Sequence, residues 1–412
     1  MNDKLQLKQS ITWLQGTALT VGAVLGSGIL VLPAIAAEMT GPASLLSWLL
    51  MGLFSLPMVI TIGLMSSRYP DAGGMASYAR YSFGRRMEHL TGLLILSAMP
   101  LGMPLTALVG AHYLGSLFQW SSIAVHTAAA MLLIIAVILN YRGIELSGRS
   151  QIVVVSVILF ILTVAVMSSV SEVRVSAFEP FFVHGWLPVG QAMTLLFFAF
   201  MGWEMVGHLA EEFRNPVRDL PVSLGLAFLF VNALYLAVAV VTVGTEVYKT
   251  GNPITAMVTL VSYRWGEMAG YLVGVLGFIV CYCPVHTFIA GFSRLVYSQA
   301  REGHFPQFLG RLHPQFQTPS VALLSFIPLY LAILLGSHLL EWDLKPLIGI
   351  PSTTFLAVYV IGMISAGRVL KSRLGKISSW LSAALAGIVF LFAGWFIVFP
   401  VAVVLIFALK KR

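Results

Sequence analysis

Val21-Gly22-Ala23-Val24-Leu25-Gly26-Ser27-Gly28-Ile29-Leu30 interrupts the first long apolar run of the chain, which extends from about Ile11 to Ala37. Such a run is long enough to cross a bilayer as a helix. Three glycines, a serine and then Pro33 nevertheless give the backbone most freedom where a continuous helix wants least. In hydrocarbon, backbone groups freed by a break must face protein, water or a ligand. The N–H groups of Gly26, Ser27 and Gly28 would open a second half-helix, whose positive dipole end favours an anion such as a carboxylate. The carbonyls from Val21 to Val24, which end the first half-helix, favour a cation. One break thus offers a place to each charge of a zwitterion, a few ångströms apart. Gly22 and Gly26, at i and i+4, also fit a small-residue helix contact, and the stretch alone leaves these two readings even.

Working outward, composition settles the class. Of 412 residues 58% are hydrophobic and 10% charged, and the mean hydropathy is +0.91. That leaves too little polar surface to coat a water-soluble globule, so the chain reads as an all-α polytopic membrane protein. A net charge of +8 does not point to nucleic acid, because the basic residues sit in short connections beside apolar runs. The two cysteines, Cys281 and Cys283, offer neither a disulfide framework nor a Cys-x-x-Cys site, and read as buried packing residues. Lys4, Lys8 and the first apolar run imitate a signal peptide, but the run is long and many equally apolar runs follow. It is read as a retained first helix.

At about twenty residues per crossing, spans fall near 11–37, 42–66, 86–118, 121–140, 151–171, 189–210, 221–243, 266–300, 320–340 and 344–366. A final apolar block from Ser378 to Leu409 accommodates two short helices if Ala393-Gly394-Trp395 reverses the chain, giving about twelve transmembrane helices. With the N-terminus inside, 20 of the 24 basic residues fall on one side, leaving only Arg174, Lys249, Arg264 and Lys345 on the other. The positive-inside rule makes the rich side cytoplasmic and places both termini there. A miscount of one span in the middle would destroy this asymmetry.

A second interruption lies in the sixth span, where Gly202 and Glu204 sit deep in the apolar run from Thr194 to His208. The first and sixth spans are five apart, so a five-helix repeat would be inverted relative to its copy. Paired interruptions at matching places in two inverted halves point to a midplane transport site. Phe198, Met201, Gly202 and Trp203 surround the second break with an apolar wall, which suits a neutral, apolar side chain. Glu204 is expensive in a membrane, and His208 and Glu211 continue its helical face. That stripe reads either as a proton-linked path or as a hydrogen-bonded helix anchor. Prolines at Pro100, Pro104, Pro284 and Pro351 would bend the third, eighth and tenth spans around a cavity or hinge. His286 reads as a satisfied buried histidine. No phosphate-binding loop, metal-ligand spacing or nucleophile with its base is present in the sequence, so neither a cofactor nor enzymatic chemistry is expected.

Four motifs in order carry a family resemblance. Gly22-x-x-x-Gly26-Ser27-Gly28-Ile29 leading to Pro33, and Tyr69-Pro70-Asp71-Ala72-Gly73-Gly74 with Tyr78 and Gly84, resemble the first helix and first cytoplasmic loop of the amino acid-polyamine-organocation transporters. Phe198 to Glu204 with Ala210 to Pro216 resembles their sixth helix, and Ser293-Arg294-Leu295 through Thr318-Pro319 the end of their eighth. The resemblance runs from about residue 11 to 370. It implies a LeuT-like fold in a single transmembrane domain. Inverted repeats would lie at about 11–171 and 189–366, with helices 1 and 6 discontinuous and two further helices at about 378–409. Carried over by position, Ser27 and Gly28, beside Gly26, would hold a substrate carboxylate, and the carbonyls of Val24, Phe198 and Met201 its ammonium. Ala98, Met99 and Phe288 would approach the side chain.

Within the family the chain is most similar to short bacterial exporters of methionine and branched-chain amino acids. Pro100-Leu101-Gly102-Met103-Pro104 and Gly207-His208-Leu209-Ala210 carry that narrower likeness. Some proton-coupled relatives place a lysine in the fifth helix; Gln151 to Ser171 contains none. The expectation is a secondary active exporter of methionine, leucine, isoleucine and valine in a bacterial inner membrane. Export would be driven by protons or by substrate exchange, with Glu204 and His208 in coupling or gating. An importer, an amino acid/polyamine exchanger, and a membrane receptor or enzyme are the alternatives. The sequence does not speak to oligomeric state.

Overall fold

The computed structural model describes residues 7–249, 266–340, 342 and 344–409, without the side chains of Ser27 and of residues 144–150, 267, 269, 270, 272, 273 and 344–346. Lys4, Arg264, Lys410, Lys411 and Arg412 of the charge count lie outside the described residues, as do the side chains of Arg149 and Lys345. The chain is helical. The first broken span is α1 (Trp13–Val24) and α2 (Ser27–Thr40), and α3 (Ser44–Arg68), α4 (Met75–Phe83), α5 (Arg85–Phe118), α6 (Ser122–Tyr141) and α7 (Ile144–Ser169) follow. The sixth span is α8 (Leu187–Leu196) and the short α9 (Met205–His208). After them come α10 (Pro216–Gly244), α11 (Glu267–Arg301), α12 (Ser320–Leu340), α13 (Leu344–Val369), α14 (Arg373–Leu391) and α15 (Val398–Leu409).

Among the described residues ten helical segments are long and apolar enough to cross a membrane, and the chain is an all-α polytopic membrane protein. Trp13–Arg68, the first segment, runs 56 residues. As one helix it would reach about 84 Å at 1.5 Å per residue, well beyond the roughly 30 Å of a bilayer core, so it must fold back. Gly41, at a φ of +63°, makes that turn between α2 and α3. Gly394, at +59°, separates α14 from α15 and divides the last apolar block into two helices. Both positions demand left-handed backbone, which glycine adopts at no steric cost.

The broken spans occupy the middle. The most apolar window of Trp13–Arg68 is 94% buried, against 33% for the segments Gln151–Glu172 and Ser320–Leu340. Peripheral helices instead turn large apolar side chains outward, among them Ile135 and Met131 of α6 and Phe160 and Met167 of α7. In lipid such faces need no protein partner.

Polar groups gather at one end. Arg80 reaches Asp71 at 2.7 Å, Glu302 at 2.7 Å and Glu88 at 3.4 Å, and Arg301 pairs with Glu211 at 3.0 Å. Arg294 of α11 holds both oxygens of Glu212, at 2.8 and 3.2 Å, and both side chains are buried. Arg368 lies 4.5 Å from the Phe83 ring and Arg86 5.8 Å from the Phe407 ring. Basic residues from loops that the sequence assigned to one side therefore meet in space. At the same end the Ser10 and Ile11 N–H groups both donate to the Glu212 carbonyl, and the Arg214 N–H donates back to Ile11. These bonds strap the start of α1 to the segment after α9.

Removing one partner of the buried Arg294–Glu212 pair leaves a desolvated charge. Glu212→Ala is expected to cost about 3–5 kcal/mol, while Glu212→Leu combined with Arg294→Met recovers most of the loss. Thermal unfolding of the detergent-purified variants checks this, and equal melting points for single and double variants would remove the pair from its structural role.

Candidate functional site

The first break is two residues long. The Leu25 N–H still donates to the Val21 carbonyl at 2.7 Å, and the Gly26 N–H turns back to Val24 at 3.0 Å. Gly26 is then the N-cap of α2 and has no side chain to cap with, and the first turn of α2 carries no acidic residue. The Ser27 and Gly28 N–H groups head the helix, where no carbonyl of an earlier turn can reach them. The positive end of α2 is left uncapped.

The second break begins after α8, where the chain tightens into a 3₁₀ turn over Phe197–Phe200. Met201 is extended, and Gly202 takes a φ of +122°. The breaks interlock through glycine. A Cβ on Gly202 would lie 2.9 Å from the carbonyl carbon and oxygen of Ala23, and one on Gly28 would lie 2.7 Å from the Ala199 Cβ. Neither distance is sterically allowed, so each broken span needs its glycine to touch the other.

A cavity opens beside this contact. The first break contributes Ala23, Val24, Gly26 and Gly28, and the second Phe198 and Met201. From α5 come Ala98, Met99, Gly102, Met103 and Thr106, from α11 Pro284, Phe288 and Phe292, and from α13 Pro351 and Phe355. Thr106 bears the one polar side chain of this lining, and its hydroxyl donates to the Gly102 carbonyl at 2.9 Å. Among the described residues no ionisable side chain lines the wall. The cavity holds about 30 Å³ of space for water centres, enough for about two waters, so the walls must separate to admit anything larger.

Of the residues singled out from the sequence, Val24, Gly26, Gly28, Ala98, Met99, Phe198, Met201 and Phe288 come together on this lining. The Ser27 backbone begins α2 beside them. Gly202 lies behind the wall against Ala23, and Trp203 is fully buried away from the cavity. Pro284 and Pro351, two of the prolines placed at bends, both face the space.

Glu204 and His208 sit apart from it. One oxygen of Glu204 accepts from the Gly202 N–H at 3.0 Å and from the Tyr359 hydroxyl. The carboxylate thus satisfies a backbone donor that the break would otherwise orphan. His208 Nδ1 lies 3.0 Å from the Ala72 carbonyl, in the loop that carries Asp71, and the Ala72 N–H donates to Glu211 at 3.0 Å. These residues tie the sixth span to the 71–74 loop. His286 is buried, with Asn140 Nδ2 and the Tyr282 hydroxyl each 3.1 Å from its Nδ1.

Tyr235 of α10 was not singled out from the sequence. Its hydroxyl lies 2.6 Å from the Val24 carbonyl and 2.8 Å from the Ala199 carbonyl, one from each break. The ring packs against Trp48 and Phe200, at 5.0 and 5.2 Å between centroids. A tyrosine inside an otherwise apolar run was the available signal, since a buried phenol seeks a partner. Phe292 and Phe355 gave none, because a phenylalanine in a membrane span carries no mark of the side it faces.

Comparison with known proteins follows the same outline. The family model described as amino acid permease matches residues 11–411. An uncharacterized amino acid permease of Bacillus subtilis, YecA, is 37% identical over 96% of this chain and 93% of its own. The L-methionine/branched-chain amino acid exporter YjeH of Escherichia coli is 30% identical over 89% of this chain and 88% of its own. An uncharacterized transporter of Mycobacterium bovis, Mb2022c, is 26% identical over 88% of this chain and 80% of its own.

Two substitutions test how the breaks are held. Gly202→Ala forces a Cβ into the Ala23 backbone at a left-handed φ, and should lower stability by about 1–3 kcal/mol or more. Tyr235→Phe removes the shared hydroxyl and should cost about 1–3 kcal/mol by leaving a buried carbonyl short of its donor. Melting curves of the purified variants measure both, and a melting point unchanged in either would show that its contact does not hold the breaks.

Proposed function

Because this chain belongs to the amino acid permease family, we propose that it carries neutral, apolar amino acids (methionine, leucine, isoleucine and valine) out of the cell by alternating access. The observation that carries this reading is the cavity itself, with an uncapped helix N-terminus at one edge and Met and Phe side chains around the rest. The substrate carboxylate would meet the N–H groups of Ser27 and Gly28 over the Cα of Gly26, whose own N–H is spent on Val24, and carbonyls at the breaks would meet its ammonium. Its side chain would lie among Met99, Met201, Phe198 and Phe288. Methionine walls suit such cargo because thioethers are polarisable and adapt to irregular shapes.

Similarity to a named exporter of methionine and branched-chain amino acids supports both substrate class and direction. A cationic amino acid or a polyamine would need a carboxylate near its extra charge, and among the described residues none lines the cavity. In this proposal twelve crossings form two inverted halves, residues 11–171 and 189–366, followed by 378–409. Both termini face the cytoplasm of a bacterial inner membrane. Glu204 and His208 lie between the cavity and the charged end, which suits a role in proton coupling or gating.

Proteoliposomes preloaded with labelled methionine, leucine, arginine or putrescine, with and without a proton gradient, test the proposal. Methionine and leucine should leave while arginine and putrescine stay, and movement of arginine or putrescine without methionine would overturn the substrate assignment. Gly26→Leu should abolish transport, since even a Cβ there would lie 2.8 Å from Pro284 and fill the space above the α2 terminus. Transport retained by this variant would remove Gly26 from the site.

A further inference from the structure

We infer that Gly102 sets the size limit of the side-chain subsite, so that the length of cargo accepted is governed by a side chain that is missing. The inference rests on the carrier reading above and extends it to selectivity. α5 contains four glycines, and three of them are small because a neighbour demands it. A Cβ on Gly92, Gly110 or Gly115 would come within 2.7 Å of Gln299, Cys281 or Val125 respectively. Gly102 differs. Its Cβ would meet only the Cβ of Pro351, at 3.9 Å, which is ordinary contact.

Gly102 is nevertheless buried and lies on the cavity wall. A glycine in a helix interior is unfavourable relative to alanine, and packing does not require one here. What its missing side chain supplies is space, directed into the cavity between Met99 and Met103 on its own helix and Pro351 across from it. The cavity is small enough that one added methyl group would consume much of it. A group bound at the α2 terminus and extending toward α5 would meet Gly102 with its far end. Larger side chains should therefore feel a substitution there, and short ones should not.

The test uses the full chain, wild type and Gly102→Ala, reconstituted in proteoliposomes. Alanine, valine, leucine and methionine are each measured for binding by competition against labelled leucine, and for flux. Alanine fits the Gly102 backbone and favours the helix, so the melting point should hold or rise. Leucine and methionine should lose about tenfold or more in affinity, as one methylene in an apolar pocket commands, while alanine stays within about twofold. Gly225→Ala on α10, where a Cβ meets nothing within 4 Å and which is not among the residues lining this cavity, serves as the control and should change no ratio. Equal loss across the four amino acids, or no loss in any, overturns the inference while leaving the carrier reading intact. If the wild-type chain neither binds nor moves any of the four, the carrier reading fails and the inference falls with it.

Discussion

The contact between the two broken spans is the constraint on which the rest of the structure depends. Backbone released from a helix cannot be left bare in hydrocarbon, and here each break is held by the other. Gly202 lies on the Ala23 peptide, Gly28 lies on Ala199, and the Tyr235 hydroxyl touches one carbonyl from each side. The surrounding helices then have a fixed pair to pack around. Prolines in α11 and α13 bring those helices' walls to the same point.

Among the described residues no charged side chain lines the cavity. Glu204 turns to the Gly202 N–H and the Tyr359 hydroxyl. Farther along, Asp71, Arg80, Glu211, Glu212, Arg294 and Arg301 form ion pairs that close one end of the bundle. Arg294 and Glu212 join α11 to the segment after α9, which is itself strapped to the start of α1. An opening at this end that separates α11 from the broken spans must therefore break the buried Arg294–Glu212 pair, and the energetic cost favours two discrete positions over a continuum.

Legibility in the sequence followed the strength of the local signal. Gly26-Ser27-Gly28 and Gly202 marked both breaks, because glycine inside an apolar run has few explanations. Ala393-Gly394-Trp395 marked the place where the last apolar block divides into two helices, at Gly394. Of the eight expected residues on the lining, Val24, Gly26, Gly28, Phe198 and Met201 stand in or beside the two breaks, and Ala98, Met99 and Phe288 were reached by position through the family resemblance. Trp203 was grouped with them because it is adjacent in sequence, but a residue beside an irregular turn can face either way, and this one is buried behind the wall. Phe292 and Phe355 lie in apolar runs where no pattern of hydrophobicity distinguishes a cavity face from a packing face, and Tyr235 offered only its phenol as a signal.

The sequence by itself determined that this is a helical membrane protein, roughly where its long apolar spans lie, and which two of them are interrupted, though nothing in it marked the short helix Met75–Phe83. These properties follow from composition, run length and the backbone preferences of single residues, all of which act locally. Only the tertiary structure decided which carbonyl Tyr235 reaches, that Glu204 caps a break, and that Gly102 leaves space while its neighbouring glycines on α5 are crowded. Each of those facts depends on the distance between atoms on different helices, and a linear pattern of apolar residues leaves the rotation of one helix against another open.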